Sequence, residues 1–223
     1  MESSLRGLSK KTTFFRGLTF DTTQLFKPGR RDKVPTKYFE IRWHSRAGQG
    51  AKSAAQLVAE AVLDEGKYAQ AFPEYGAERS GAPMRAFNRI SEGKIRVHYS
   101  VENPDVVVVI DETLLSPSIV SGLKEDGVLI VNTKHSFDFV RKKTNFSGKV
   151  CIVNATDIAL QEIKRGVPNT VMIGTLARVT GLVNLEVVEK KIREMFERKL
   201  PEEMIQANIR ALRRGYEEVQ CSG

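Results

Sequence analysis

A three-layer α/β/α domain with a mixed, mostly parallel sheet and a helical C-terminus is the fold this sequence predicts. Three observations predict it. A strand leads through a glycine turn into an amphipathic helix in "KYFEIRWHSRAGQGAKSAAQLVAEAV". "DVVVVID" is a solid β-branched run of the kind buried on both faces of a parallel sheet. "GVLIVN" and "KVCIVNA" then alternate with helical stretches, which continues a βαβ rhythm.

The elements follow in order. "KYFEIRW", Lys37–Trp43, alternates and reads as a strand ending at His44. A helix is expected from Ala51 to Glu65. Ala51, Ala54, Ala55, Val58 and Val62 share its apolar face, Lys52, Gln56 and Glu60 share the other, and Gly66 stops it. "YAQAFPEYG" reads as a short strand running into a Pro/Gly loop. "MRAFNRIS" and "KIRVHYS", separated by "EG", read as an antiparallel hairpin. "TLLSPSIVSGL" is expected to be helical. From Asp157 the chain turns helical. "DIALQEIKRG" ends at Gly166, and "PNTVMIGTLARVTG" runs from an Asn169 cap to a Gly181 stop. "NLEVVEKKIREMFERK" opens on Asn184, with Val188, Ile192 and Met195 on one face. In "PEEMIQANIRALRRGY" acids come first and Arg210, Arg213 and Arg214 late, as a helix dipole favours.

The chain has 223 residues and a net charge of +8. Residues 1–33 hold eight Lys/Arg against three Asp/Glu. Most of the excess therefore lies in the leader, and the body is a mixed-charge globule without an obvious basic face, which argues against nucleic acid. Residues 1–36 are set apart as this leader and residues 37–223 as one domain. The leader reads either as a targeting or docking arm or as sequence outside the native protein, and the second is favoured. "GRRDKV" can be encoded with a purine-rich ribosome-binding sequence just before a GTG codon, which would make Val34 the initiator. The start lacks a secretory core segment, and no apolar run approaches the ~20 residues of a membrane span. A cytoplasmic site is expected. Cys151 reads as a small buried strand residue and Cys221 as exposed. Two such cysteines give neither a disulfide framework nor the four thiolates of an iron–sulfur cluster.

The chemistry centres on two loops. Gly48 and Gly50 let a backbone approach an oxyanion, and the helix start that follows aims N–H groups at it. Arg46 adds a charge and Ser53 a hydroxyl. The pattern G-x-G-x-x-S lacks the third glycine of a dinucleotide fingerprint, and the position expected for a ribose-binding acid falls near Gln70, with Glu74, the nearest candidate, beyond Pro73 in an expected loop. It is not a Walker A loop. The bland alternative is a tight strand-to-helix turn. "PEYGAERSGAPMR" packs Glu74, Glu78, Arg79 and Arg85 between prolines and glycines, which suits a docking loop or a solvated surface. Asp111 ends a buried strand and is expected to cap "DETLL". His44, His98 and His135 show no metal spacing and no nucleophile–His–acid order, so no catalytic residue and no metal ligand is assigned.

"IRWHSRAGQGAKSAAQLVAEAV", "AFPEYGAERSGAPMRAFNRIS", "NPDVVVVIDETLL", "GVLIVNT" and "GVPNTVMIGTLARVTGLV" resemble, in this order, the gamma subunits of the pyruvate:ferredoxin oxidoreductase (pyruvate synthase) family. The resemblance runs from Lys37 to the C-terminus. Ser45 stands where the family's glycine before Arg46 is expected. The resemblance implies a non-redox subunit of an enzyme that converts pyruvate, coenzyme A and oxidised ferredoxin to acetyl-CoA, carbon dioxide and reduced ferredoxin. Thiamine diphosphate and iron–sulfur clusters would sit in the alpha, beta and delta partners, and coenzyme A would be the ligand on this side of the assembly. It implies Arg46, Gly48, Gly50 and Ser53 as ligand contacts, and Glu74, Arg79 and Gly81 in a loop facing partner or ligand. Alternatives are a related branched-chain 2-oxoacid oxidoreductase, a free-standing nicotinamide dehydrogenase, and a binding module whose leader touches nucleic acid.

Overall fold

The seven strands lie in one sheet in the order β2-β3-β1-β4-β5-β6-β7 in a computed structural model of the chain, which describes residues 38–75, 81–97 and 99–222. The leader, Arg79 and His98 fall outside those residues. Strand β1 (Phe39–Arg46) pairs parallel with β4 (Val106–Val109), β4 with β5 (Val128–Asn132) and β5 with β6 (Lys149–Val153). On the other side of β1, β3 (Pro83–Ser91) runs antiparallel, and β2 (Tyr68–Tyr75) pairs antiparallel with β3. The two-residue β7 (Gln220–Cys221) closes the far edge, antiparallel to β6.

Helices α1 (Ala51–Asp64), α3 (Ala155–Ile163), α4 (Asn169–Thr180), α5 (Leu185–Phe196) and α6 (Glu202–Glu217) contribute to the larger core, with Ile41 and Trp43 of β1 and Val106 and Val108 of β4. The opposite face is thinner. There α2 (Phe137–Thr144) and two short 3-10 turns, Glu112–Leu114 and Pro117–Val120, cover Val107, Val109, Leu129 and Val131. These strands are apolar on both faces because both faces are covered. The three-layer α/β/α expectation holds, with the mixed sheet and the helical C-terminus.

Helix α1 buries the alanine–valine face read from the sequence, and Gly66 follows its end with φ 82°. Its small residues let the helix lie close on the sheet. Asn184 caps α5, accepting from Glu186 N at 2.8 Å, and Gly181 ends α4 with φ 60°.

Several local expectations are corrected. The hairpin partner of β3 is β2, not "KIRVHYS", and the loop around Gly81 joins them. Both edges of β3 are taken by β1 and β2, so residues 94–97 cannot pair with it despite their alternation. "TLLSPSIVSGL" splits into two 3-10 turns, because Ser116 before Pro117 is extended at φ −159° and ψ 164°. Pro168, not Asn169, is the cap residue of α4. Cys151 and Cys221, taken singly in the sequence, face each other in the β6–β7 register and form a disulfide. Cys151 is fully buried and Cys221 exposed, as read.

Candidate functional site

The chain leaves β1 toward one face of the sheet, into α1, and leaves β4 toward the other, into the 3-10 turns. The C-terminal ends of these neighbouring parallel strands therefore open a crevice between two diverging loops, where α/β folds place ligands. Arg46 is the last residue of β1 and Asp111 follows the end of β4.

Two glycines make the turn. Gly48 has φ 98° and Gly50 φ 86°, both in the left-handed region. Gly50 is also a site of close approach. A Cβ there would stand 2.6 Å from Asn169 Nδ2 at the start of α4. No side chain caps α1, and the first hydrogen bond back to the turn runs from Ala54 N to Gly50 O at 2.9 Å. The first N–H groups of α1 thus keep their anion-binding capacity. Ser53 is exposed in that first turn.

Arg46 is held rather than free. Its Nε and Nη2 donate to Thr113 Oγ1 at 3.1 and 3.0 Å, its Nη1 donates to Gly81 O at 3.1 Å, and its Nε lies 3.5 Å from Asp111 Oδ2. The backbone of Arg46 donates to Gln49 Oε1 at 2.8 Å, and Gln49 Nε2 donates to Asp111 Oδ2 at 2.6 Å. The structure therefore joins the two loops singled out in the sequence, through one guanidinium. Gln49 and Thr113, which no sequence motif marks, complete the clasp. Their only sequence signal was position, one inside the glycine turn and one after the β-branched strand. Asp111 caps the 3-10 turn as expected, accepting from Thr113 N at 2.9 Å. Burial works against its carboxylate, but bonds from Thr113 and Gln49 and the charge of Arg46 outweigh that and hold its pKa low. From Gln49 a cleft of about 340 Å³ runs past Thr113, Asn132 and Asn154 at the ends of the parallel strands.

Glu74 lies on β2, away from the clasp, and pairs with Arg85 at 2.6 Å. His44 is buried beside Arg85, its partner across the β1–β3 pair. Its Nε2 accepts from Arg42 Nε at 3.0 Å. Burial first, then the charges of Arg42 and Arg85, push its pKa down to about 3. His44 is thus a neutral structural hydrogen-bonder at ordinary pH. Its folded pKa lies below the unfolded value, so its contribution to stability is full above about 6.5 and is lost as pH falls. By pH 5 proton uptake by the unfolded chain should remove ~2 kcal/mol. Urea midpoints at pH 7 and 5 check this, because His44→Gln should lack that part of the drop. Among the described residues no group of three His, Cys, Asp or Glu could hold a metal ion, and no helix is long and apolar enough to cross a membrane.

Residues 40–218 match the pyruvate ferredoxin/flavodoxin oxidoreductase family. Pyruvate synthase subunit PorC of Thermotoga maritima is 72% identical over 189 residues, which cover 85% of this chain and 98% of that one. The pyruvate/ketoisovalerate oxidoreductases common subunit gamma of Pyrococcus abyssi is 46% identical, covering 81% of this chain and 97% of its own. A crystal structure of pyruvate oxidoreductase subunit PORC from Thermotoga maritima superimposes with a TM-score of 0.78 at 70% identity, over 84% of this chain and 99% of that chain. The chain belongs to the pyruvate ferredoxin/flavodoxin oxidoreductase family, as a gamma-type subunit of a pyruvate synthase.

Proposed function

We propose that this subunit supplies the coenzyme A side of the assembled enzyme, with the turn Arg46–Gly50 and the start of α1 receiving the ligand's phosphates. One observation carries the reading. An uncapped helix start preceded by two left-handed glycines opens at the crevice between β1 and β4. Gln49 and Asp111 brace the turn before any ligand arrives, so little ordering cost is left for binding. Arg46, Gly48, Gly50 and Ser53 are the contacts of this reading. In this reading Glu74 and Gly81 are turned to the alpha, beta and delta partners, and Arg79, outside the described residues, belongs to the same loop by sequence alone; those partners carry thiamine diphosphate and the iron–sulfur clusters and pass electrons to ferredoxin in the cytoplasm. The common gamma subunit of Pyrococcus abyssi is named for both pyruvate and ketoisovalerate enzymes. That name supports the view that the partners, not this chain, choose the 2-oxoacid.

Ser53→Asp is the discriminating variant. A carboxylate in the first turn favours the helix by about 0.3–1 kcal/mol, so the fold is kept. It also places a negative charge where the phosphates would sit. In the assembled enzyme the KM for coenzyme A should rise about tenfold, equivalent to ~1.4 kcal/mol, with the KM for pyruvate unchanged. Unaltered coenzyme A dependence in this variant would exclude the role.

A further inference from the structure

On the sheet face opposite α1, β2, β3 and β1 bring Glu74, Arg85 and His44 into one cross-strand row. This row lines a pocket of about 360 Å³, closed on its far side by Leu114, Ser116, Ser118 and Ile119. Directly behind the pocket wall sits Arg42, only 5% exposed. Its Nε donates to His44 Nε2, and its Nη2 donates to the carbonyls of Ile119 at 3.0 Å and Ser121 at 2.7 Å. Every one of these acceptors is neutral. Arg42 forms no ion pair with a carboxylate among the described residues, and the charge that acts on it is a like one, from Arg85.

A buried guanidinium without a counter-charge is costly, because carbonyl dipoles replace only part of its hydration. The single carboxylate in the row, Glu74, is already engaged by Arg85. Among the described residues, two guanidiniums against one carboxylate leave the pocket and Arg42 behind it short of one negative charge. Its donors suit that missing group. Nε2 of His44 accepts from Arg42, so the neutral ring carries its proton on Nδ1. Ser116 and Ser118 stand with their hydroxyls 2.9 Å apart. Leu114 and Ile119 give room for a short hydrocarbon body.

We propose that this pocket receives a carboxylate on a short apolar body, with His44 and Arg85 as its donors and Arg42 as its buried counter-charge. The carboxylate comes either from a free small acid or from an acidic side chain of another chain. The two sources share one recognition chemistry.

The full chain is titrated at pH 7 with sodium acetate and sodium propionate, against sodium chloride and acetamide at matched ionic strength. Melting temperature and the ring signals of His44 are followed. Both carboxylates should give a saturable rise in melting temperature and move the His44 signals, whereas chloride and acetamide should not. Arg85→Gln, at a half-exposed position that keeps the fold, should weaken the apparent affinity about tenfold, and Arg42→Met should abolish the response. The titration is repeated on the assembled oxidoreductase. A response kept there identifies a free acid as the occupant. A response lost there, with Arg85→Gln loosening the complex, identifies a side chain of another chain. Equal rises with chloride or acetamide, no response of the free chain, or an unchanged affinity in Arg85→Gln overturns the proposal. No coenzyme A enters the free-chain titration, so this result stands or falls separately from the reading of the glycine turn.

Discussion

Replacing Gly174 or Gly215 by alanine is expected to cost ~3 kcal/mol in each case, the upper part of the usual range for overpacking. The two glycines lie where α4 and α6 cross. A Cβ on Gly174 would run into the carbonyl oxygen of Leu212, and one on Gly215 into that of Val171. Both obstacles are backbone, so no rotamer change relieves them. The crossing is also stitched, because Thr175 Oγ1 donates to Gly215 O at 2.9 Å. Alanine gains up to about 1 kcal/mol over glycine in an open helix, so without this contact the same change would stabilise. The sign of the effect is therefore the test. Each variant should melt roughly 10 °C lower, at ~2–4 °C per kcal/mol for a domain of this size. A melting temperature at or above that of the parent chain would mean that the helices stand further apart than described.

Breaking the Cys151–Cys221 bond is expected to cost more. The two cysteines are 70 residues apart in sequence, and closing a loop of that size restricts the unfolded chain by ~4 kcal/mol in the chain-entropy account. Cys221 is exposed, so Cys221→Ser removes little packing. Ser222 still binds β6, donating to Val150 O at 2.8 Å and accepting from Val150 N at 3.1 Å. The loss should therefore be read almost wholly as a lower urea midpoint with a steady native spectrum. A dithiol reductant should produce the same shift in the parent chain and none in Cys221→Ser. Alkylation followed by intact mass gives a separate check, with no cysteine modified before reduction. Two free thiols in the native protein would refute the pairing.

The parts of the fold carried by local pattern were legible in the sequence. The glycine turn, the alanine face of α1, the β-branched β4 and the helix opening at Asn184 each depend on residues within a few positions of one another. What was missed depends on partners far along the chain. "KIRVHYS" alternates like a strand, but only the three-dimensional order shows that β3 has no free edge. Nothing near Cys221 announces that β7 returns to β6 after four helices. At the site, the sequence singled out Arg46, Gly48, Gly50 and Gly81 but could not show that the Arg46 side chain ties the glycine turn to Gly81. Nor could it show Arg42 buried among neutral acceptors, since that follows from where the Pro117–Val120 turn lands beneath the sheet. A strand arginine reads as solvent-facing until its neighbours are known.

The strand order also fixes a timetable during synthesis. Residues 39–91 contain β1, α1, β2 and β3, whose mutual pairings can close as soon as they leave the ribosome. The outer side of α1, however, is sealed by α4 and α5, whose residues begin at Asn169 and Leu185. Until those are translated, the nascent hairpin and helix carry an uncovered greasy flank. β1 meanwhile waits with one bare edge for β4. The stretch between Ser91 and Phe196 is therefore the interval in which a chaperone has something to hold.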